Sequence, residues 1–390
     1  MKNVLPRFQR PLQGIAEPKT DVSYWDKAMD AYDAKSYRQS LIETINYINP
    51  AILANKNTAE DLNLVHNQGS AEIQVSIDQN TFSVKAPFLR IAEGTNKVAL
   101  FRKVAEVNFA PLTLAQIHLS GKELWFEFSM PITLCQPYKV YDVLREISVF
   151  ADDYDDEFVE KYKADFYKES NTQPLTGEEA ETAWQQISDI LEDYKNYSAF
   201  FKEKRWNDFQ WDITVISILK IVNMPYTHGA LRTKLQEYVT NMFDGKIDFQ
   251  YRIDKGTNFM QELLQKSKED YLKDLYHADA FISLKWRSSV QILQDEVKRF
   301  ENTVNSYVKN QDNFALCYYL QFNFLYMLYN FNVEEHQKNA IYDVLESVAG
   351  LEPNIAAPKL LKTYYAFLDG KTHTAAGKTK GKGFFAKLFG

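Results

Sequence analysis

The chain has 390 residues and a formal net charge of −7, from 52 acidic and 45 basic side chains. This balance argues against nucleic acid as the main ligand, because proteins that bind nucleic acid usually carry a basic surface. Glycine (14 residues) and proline (12 residues) are both scarce, which predicts long elements that are mostly helical. A chain of this length is expected to form two or three domains.

No secretory or membrane-spanning segment is predicted. The N-terminal sequence MKNVLPRFQRPLQGIAEP lacks the apolar centre of a signal peptide. No run approaches the ~18 consecutive apolar residues of a transmembrane helix. Cys135 and Cys317 lie far apart in apolar sequence, as is typical of buried thiols in a reducing compartment. We therefore expect the protein in the cytoplasm, either free or at the inner face of the membrane.

An α+β domain is predicted for residues 22–170, after an extended, proline-containing arm at residues 1–21. Apolar residues recur first at helical spacing and then alternate with polar residues, which indicates helices and strands in turn. The predicted elements are a helix at 24–48, a hairpin at 73–86, a helix at 96–108, a hairpin at 117–130 and a helix from 138 to about 168. Antiparallel hairpins with flanking helices are typical of this fold class.

A helical bundle is predicted for residues 171–369. Residues 257–349 contain neither glycine nor proline. The apolar spacing between 272 and 308 predicts one long helix, or two collinear helices, packed like a coiled coil. Residues 313–331 are apolar nearly all round, as expected of a buried central helix. Further helices are predicted at 178–203, 208–223, 229–243, 334–348 and 353–368.

Residues 370–390 differ in composition from the rest of the chain. A basic linker rich in Gly, Lys and Thr leads to the apolar sequence FFAKLFG. Each large apolar side chain contributes about 1.5–3 kcal/mol when buried, and a lysine near an anionic bilayer about 1 kcal/mol. We expect this tail to dock on a membrane surface or in a groove of a partner protein; the alternative is a frayed tail or one folded back on the bundle. The docking residues are Phe384, Phe385, Leu388 and Phe389.

No catalytic, cofactor-binding or metal-binding signature is present, so we expect no cofactor and no metal. Gly377-Lys378-Thr379 lacks the first glycine and the preceding strand of a phosphate loop. The acidic run at 152–157 lacks the central glycine and final glutamate of an EF-hand loop. The turn Pro225–Gly229 combines His, Tyr and Gly and is a candidate for a cleft. Carboxylates assembled in a cleft between the two halves would be the enzymatic alternative.

Residues 22–168 resemble the fold family that joins type III secretion chaperones with YbjN-like proteins. The resemblance is carried by EIQVSIDQNTFSVKAPFLRI, by NKVALFRKVAEVNFAPLTLAQIHLSGKELWFEFSMPI and by PYKVYDVLREISVFADDYDDEFVEKY. It includes a helix that ends in Asn108 before a strand within SGKELWFEF. The resemblance implies a non-enzymatic domain that commonly dimerises and binds an extended peptide on its sheet or helix faces. The helical half resembles no family that we recognise.

The expected function is a non-enzymatic, chaperone-like scaffold that binds a protein client through its α+β domain. A homodimer is compatible with this expectation. The residues expected to line the client face are Phe82, Phe88, Trp125 and Phe128. Two alternatives stay open: a membrane-peripheral adaptor anchored by its C-terminal tail, and an enzyme with a cleft site that carries no known motif.

Overall fold

A six-stranded antiparallel sheet forms the centre of the N-terminal half. The structure is a computed structural model that describes residues 4–12, 21, 23–168, 172–283 and 285–371. The strands are β1 (Leu62–Gln68), β2 (Ala71–Ile77), β3 (Thr81–Arg90), β4 (Gln116–Ser120), β5 (Glu123–Pro131) and β6 (Asp165–Phe166). They lie in the order β1-β2-β3-β5-β4, and β6 pairs with the end of β3. Both predicted hairpins are confirmed, and β1 extends the first hairpin to three strands.

Helices cover one face of this sheet. They are α1 (Ser23–Asp33), α2 (Tyr37–Ile48), α3 (Lys97–Phe109), α4 (Pro137–Asp153) and α5 (Asp155–Tyr162). A turn with Lys35 at a φ of 61° divides the predicted first helix into α1 and α2. The helix predicted from 138 to about 168 ends earlier, at α5. The α+β class is confirmed, with α4 packed across β1, β2, β3 and β5.

Strand alternation determines which side chains enter this core. Ile73, Val75 and Ile77 of β2 are buried under the helices, whereas Gln74 and Ser76 face the other way. The same alternation continues across β3 and β5, because their residues pair in register from Thr81–Pro131 to Pro87–Trp125. The face of the sheet away from the helices is therefore polar.

The second half is helical. Its elements are β7 (Gln173–Pro174), α6 (Gly177–Lys204), α7 (Asn207–Val222), α8 (Gly229–Phe243), α9 (Phe249–Gln265), α10 (Lys268–Leu272), β8 (Tyr276–His277), α11 (Val290–Lys298), α12 (Glu301–Lys309), α13 (Asn313–Asn330), α14 (Glu335–Val348) and α15 (Pro353–Leu368). Helix α13 packs against α7, α12, α14 and α15. Its buried residues occur on all sides, so the predicted central helix is confirmed.

The long helix predicted between 272 and 308 is wrong. Helix α10 ends at Leu272, and α11 begins only at Val290. The chain between them, which we call the connecting loop, carries Phe281 and Ile282 into the apolar core of the α+β half, where they are 4% and 1% exposed. Burial of these two side chains elsewhere outweighs the local helical preference of the segment.

The N-terminal arm lies on the helical half, although the α+β half follows it in sequence. Residues 4–12 form neither helix nor strand. Leu5 is buried in the core of the bundle. The Leu5 N–H donates to the Leu351 carbonyl oxygen over 2.9 Å, and the Gly350 N–H donates to the Leu5 carbonyl oxygen over 3.1 Å. Each half of the protein therefore receives one segment from elsewhere in the chain.

Candidate functional site

Two of the four residues predicted to line a client face are part of the core. Phe82 is 0% exposed and Phe88 is 4% exposed. Phe82 lies on the helix-covered side of β3, opposite Met130. Phe88 lies where the β3–β5 register shifts, and its ring contacts Phe126 with centroids 4.9 Å apart. These two residues are therefore corrected to core positions.

The other two predicted residues lie on opposite faces of β5. Phe128 is half-buried on the helix-covered side, next to Phe82. Trp125 lies on the polar side, where its ring meets Tyr167 edge-on with centroids 5.3 Å apart and its Nε1 donates to Glu123 Oε2 over 3.3 Å. A strand presents alternate residues to opposite faces, so these side chains do not form one surface. A client contact at Trp125 stays a prediction.

Helix α3 carries an exposed row of apolar side chains that the sequence analysis did not separate from its buried face. Leu100, Val104 and Val107 pack inward. Val98, Phe101 and Phe109 are 70%, 36% and 89% exposed, and Ala105 between them is exposed as well. Spacings of three and four residues place these four on one side of the helix. We call Val98, Phe101, Ala105 and Phe109 the α3 stripe.

The sequence of α3 contains one pattern that distinguishes its buried face from its exposed stripe. Leu100, Val104 and Val107 already supply a complete inward face at helical spacing. The remaining apolar residues of the helix are then in excess of what the core needs. The helix predicted at 96–108 was not divided into these two rows.

The edge strand beside α3 is closed to an added strand at its centre. The Asn108 side chain accepts a hydrogen bond from the Ile117 N–H over 2.6 Å and donates one to the Ile117 carbonyl oxygen over 3.0 Å. Glu146 accepts from the N–H groups of Leu114 and Ala115, which lead into β4. Because these backbone groups already have partners, a ligand here must contact the side chains of α3 rather than extend the sheet.

A cleft of about 1370 Å³ lies between the two halves. It exceeds the usual size of a small-molecule pocket, about 300–1000 Å³. One wall contains Asp152 and Asp155, whose carboxylates both lie within hydrogen-bond distance of Ser70 Oγ. Gly69 next to them has a φ of +55°, and a Cβ there would overlap the Asp152 carboxylate. Two carboxylates thus lie close to one hydroxyl in this cleft.

Pro225, His228 and Gly229 of the turn that was proposed above as a cleft candidate also line this cleft. The His228 ring stacks on Tyr276 with centroids 4.5 Å apart. Burial, followed by the nearby Arg232, lowers the pKa of His228 to about 3, so its imidazole is neutral at pH 7. Within the described residues, His228 Nε2 has no hydrogen-bond partner. A neutral imidazole of this kind accepts or donates a hydrogen bond, but it is too weak a base to remove a proton near pH 7.

Metal binding and membrane spanning find no support in the described part of the chain. Among those residues, no group of three or more His, Cys, Asp and Glu side chains is placed to hold a metal ion. No helix there is long and apolar enough to cross a bilayer. The tail residues Phe384, Phe385, Leu388 and Phe389 lie outside the described residues, so their docking stays a prediction.

No protein-family model matches the chain, and no curated protein matches its sequence. The likeness to secretion chaperones and YbjN-like proteins therefore stays a resemblance of sequence pattern.

Proposed function

We propose that this chain is a non-enzymatic, protein-binding scaffold and that a protein partner docks on the α3 stripe of its α+β half. The observation that carries the proposal is the alignment of three exposed large apolar side chains, Val98, Phe101 and Phe109, on one side of a helix. An aligned apolar row of this kind is typical of an interaction site, whereas single exposed apolar residues need no explanation.

The chemistry around the α3 stripe fits another helix. Arg102 and Glu106 are exposed beside the apolar row, so the helix has a basic and an acidic position one turn apart. Ala105, near the middle of the row, allows another helix to approach closely. In a second copy of α3 packed antiparallel to the first, Arg102 of each copy would lie near Glu106 of the other. A helix of a different protein with the same pattern of charges would fit as well.

Photo-crosslinking of the full chain in its native cells tests the proposal. A photoreactive phenylalanine analogue at Phe109 should yield one dominant protein adduct. The matched control is the same analogue at Ile355, which is 55% exposed on α15, and it should yield none. Phe101→Asp in the Phe109-substituted chain should remove the adduct. An adduct of twice the chain mass identifies a second copy as the partner. No protein adduct at Phe109, or equal adducts at both positions, would contradict the proposal.

The second candidate is an enzyme that uses the cleft, and it is supported by Asp152 and Asp155 beside Ser70. We would incubate a metabolite extract with the parent chain and with Asp152→Asn and compare the products by mass spectrometry. A compound consumed only by the parent, while both proteins melt at the same temperature, favours the enzyme. Identical extracts after both incubations reject it.

The tail supports the third role, a membrane-peripheral adaptor. Flotation with anionic liposomes compares the full chain with one lacking residues 377–390. Loss of flotation on truncation favours the adaptor. Equal flotation of both forms removes this role.

A further inference from the structure

The surface that holds the N-terminal arm has the construction of a peptide-binding site. Helices α6 and α14 supply its two sides, and Lys220 of α7 and the turn Gly350–Leu351 complete it. We call this surface the arm groove. Each side is a row of polar residues at helical spacing. The α6 row is Gln186, Asp189, Asp193 and Tyr197, and the α14 row is Asn339, Asp343 and Glu346.

The groove contacts the main chain of the arm at several points between Val4 and Arg10. The Tyr197 hydroxyl donates to the Val4 carbonyl oxygen over 2.8 Å. The backbone of Leu5 pairs with Gly350 and Leu351. The Arg7 N–H donates to Asp193 Oδ2 over 2.6 Å, and Lys220 Nζ donates to the Arg7 carbonyl oxygen over 2.5 Å. Main-chain contacts of this kind bind an extended segment and set its register.

Two arginines of the arm form ion pairs with acidic side chains on the two sides of the groove, Arg7 with α6 and Arg10 with α14. Arg7 makes ion pairs with Asp189, Glu192 and Asp193 at 3.2, 2.6 and 2.9 Å.

Arg10 is held by the α14 row. It pairs with Asp343 at 2.5 Å and with Glu346 at 3.5 Å, and its Nη1 donates to Asn339 over 3.0 Å. Guanidinium groups match carboxylates in both shape and charge. The groove thus holds an apolar residue, an arginine two positions later and another arginine three positions after that.

Two buried charged side chains indicate that the groove recognises a specific segment rather than one that simply covers the bundle. Lys220 and Asp193 are only 5% and 8% exposed. Within the described residues, the hydrogen bond of Lys220 Nζ and the ion pair of Asp193 are both made to Arg7. A segment that merely covered the bundle would need apolar contacts and no buried charges. The arm belongs to no helix or strand, so its departure would break no element and would withdraw one core side chain, that of Leu5.

We propose that the arm groove is a binding site for an extended protein segment with the pattern of Leu5, Arg7 and Arg10, and that residues 4–12 occupy it as an exchangeable internal ligand. A segment of this pattern from another protein competes with the arm. Because the arm is tethered, its effective concentration is in the millimolar range, and the full chain binds such a segment weakly until the arm is released. This proposal does not depend on the α3 stripe.

Peptide binding to the full chain tests the proposal. The receptor is the full chain with Arg7→Glu and Arg10→Glu, which weakens its own arm, and the probe is a labelled peptide of residues 1–12. We expect the receptor to bind the probe in fluorescence anisotropy. The unchanged chain should bind it at least about tenfold more weakly, because its own arm competes. The peptide change Gln9→Ala is the matched control and should have no effect, since Gln9 is exposed.

Three results would overturn the proposal: no binding by a folded receptor, equal binding of a peptide with both arginines replaced by glutamate, or loss of binding in the Gln9→Ala control. If the receptor does not fold, amide hydrogen exchange of the unchanged chain decides instead. Exchange at Leu5, Arg7 and Arg10 that is faster than exchange within α6 supports independent release of the arm. Exchange of these amides only on global unfolding overturns it.

Discussion

The arm and the connecting loop are irregular segments that each cross to the other half of the protein, but the balance of the contacts that hold them differs. The arm is held by main-chain hydrogen bonds, by ion pairs of Arg7 and Arg10 and by the buried side chain of Leu5. The connecting loop is held by Phe281 and Ile282 in the core of the α+β half. These two large apolar side chains are harder to withdraw from a core than one leucine, and the ion pairs of the arm are partly solvated and exchange readily with water.

The contacts of the connecting loop extend this difference. The His66 ring stacks on Phe281 with centroids 5.3 Å apart. The Ile282 N–H donates to the Gln68 side-chain oxygen over 3.0 Å, and the Gly69 N–H donates to the Asp279 carbonyl oxygen over 2.7 Å. The loop therefore packs on the C-terminal end of β1 and joins the two halves. We expect it to be a permanent part of the fold and the arm to be a replaceable one.

The largest expected effect is that of Phe281→Ala. Removal of a buried phenylalanine ring costs about 3–5 kcal/mol in transfer and cavity energy, so the free energy of unfolding should fall by that amount. Chemical denaturation measures it, with Val65→Ala as the control, since Val65 is 58% exposed on β1 and should change stability by less than about 0.5 kcal/mol. Equal losses of unfolding free energy in the two variants would show that Phe281 does not anchor the loop, and the difference between loop and arm would not hold.

A smaller effect is expected from Tyr47→Phe in α2, which removes the hydroxyl that contacts Ser288 at the end of the connecting loop. The Ser288 N–H donates to the Tyr47 hydroxyl over 3.3 Å, and both residues are buried. Loss of the hydroxyl leaves a buried donor without its partner, which costs about 1–3 kcal/mol. Thermal unfolding should show a lower Tm. A Tm equal to that of the parent would mean that this bond contributes nothing to the joint.

Lys220 should make the arm groove sensitive to alkaline pH. Burial lowers the pKa of Lys220 to about 8, below the ordinary lysine value of about 10.4. Between these two values the unfolded chain binds the proton and the folded chain does not, so this residue makes stability rise with pH. The contribution is at most about 1.4 kcal/mol per pH unit.

The substitution Lys220→Met removes this pH-dependent contribution to stability. We therefore expect the stability of the parent, relative to the variant, to increase from pH 8 to pH 9.5, as measured by denaturation at each pH. A constant difference over that range would show that Lys220 does not titrate there.

The smallest effect on global stability is expected from Arg7→Ala. Partly exposed ion pairs contribute about 0.2–1 kcal/mol each, and the buried Asp193 keeps the hydrogen bond from the backbone N–H of residue 7. The free energy of unfolding should therefore change by about 1 kcal/mol, and the change should shrink in high salt. The free energy of opening that amide exchange measures at Leu5 should fall by much more than the free energy of global unfolding. A stability loss as large as that of Phe281→Ala would make the arm a structural element and remove its contrast with the loop.

Elements defined by their own residues were predictable. Helix α13 is apolar nearly all round, and the hairpins alternate with a period of two, so local pattern sufficed for both. Strand β1 was missed because its inward positions change from Leu62 and Leu64 to His66 and Gln68, which hides the alternation. Phe82 and Phe88 were assigned to a surface because a strand pattern does not reveal which face the helices cover.

The amino-acid sequence by itself determined the fold class and the central helix, because these follow from periodicity and apolar composition within single segments. Only the tertiary structure decided that Phe281 and Ile282 leave the helical half, that the arm lies on α6 and α14, and that Val98 and Phe109 stay outside. Each of these depends on which surfaces meet across long sequence separation. Burial energies gained there exceed the local preferences that a sequence pattern records.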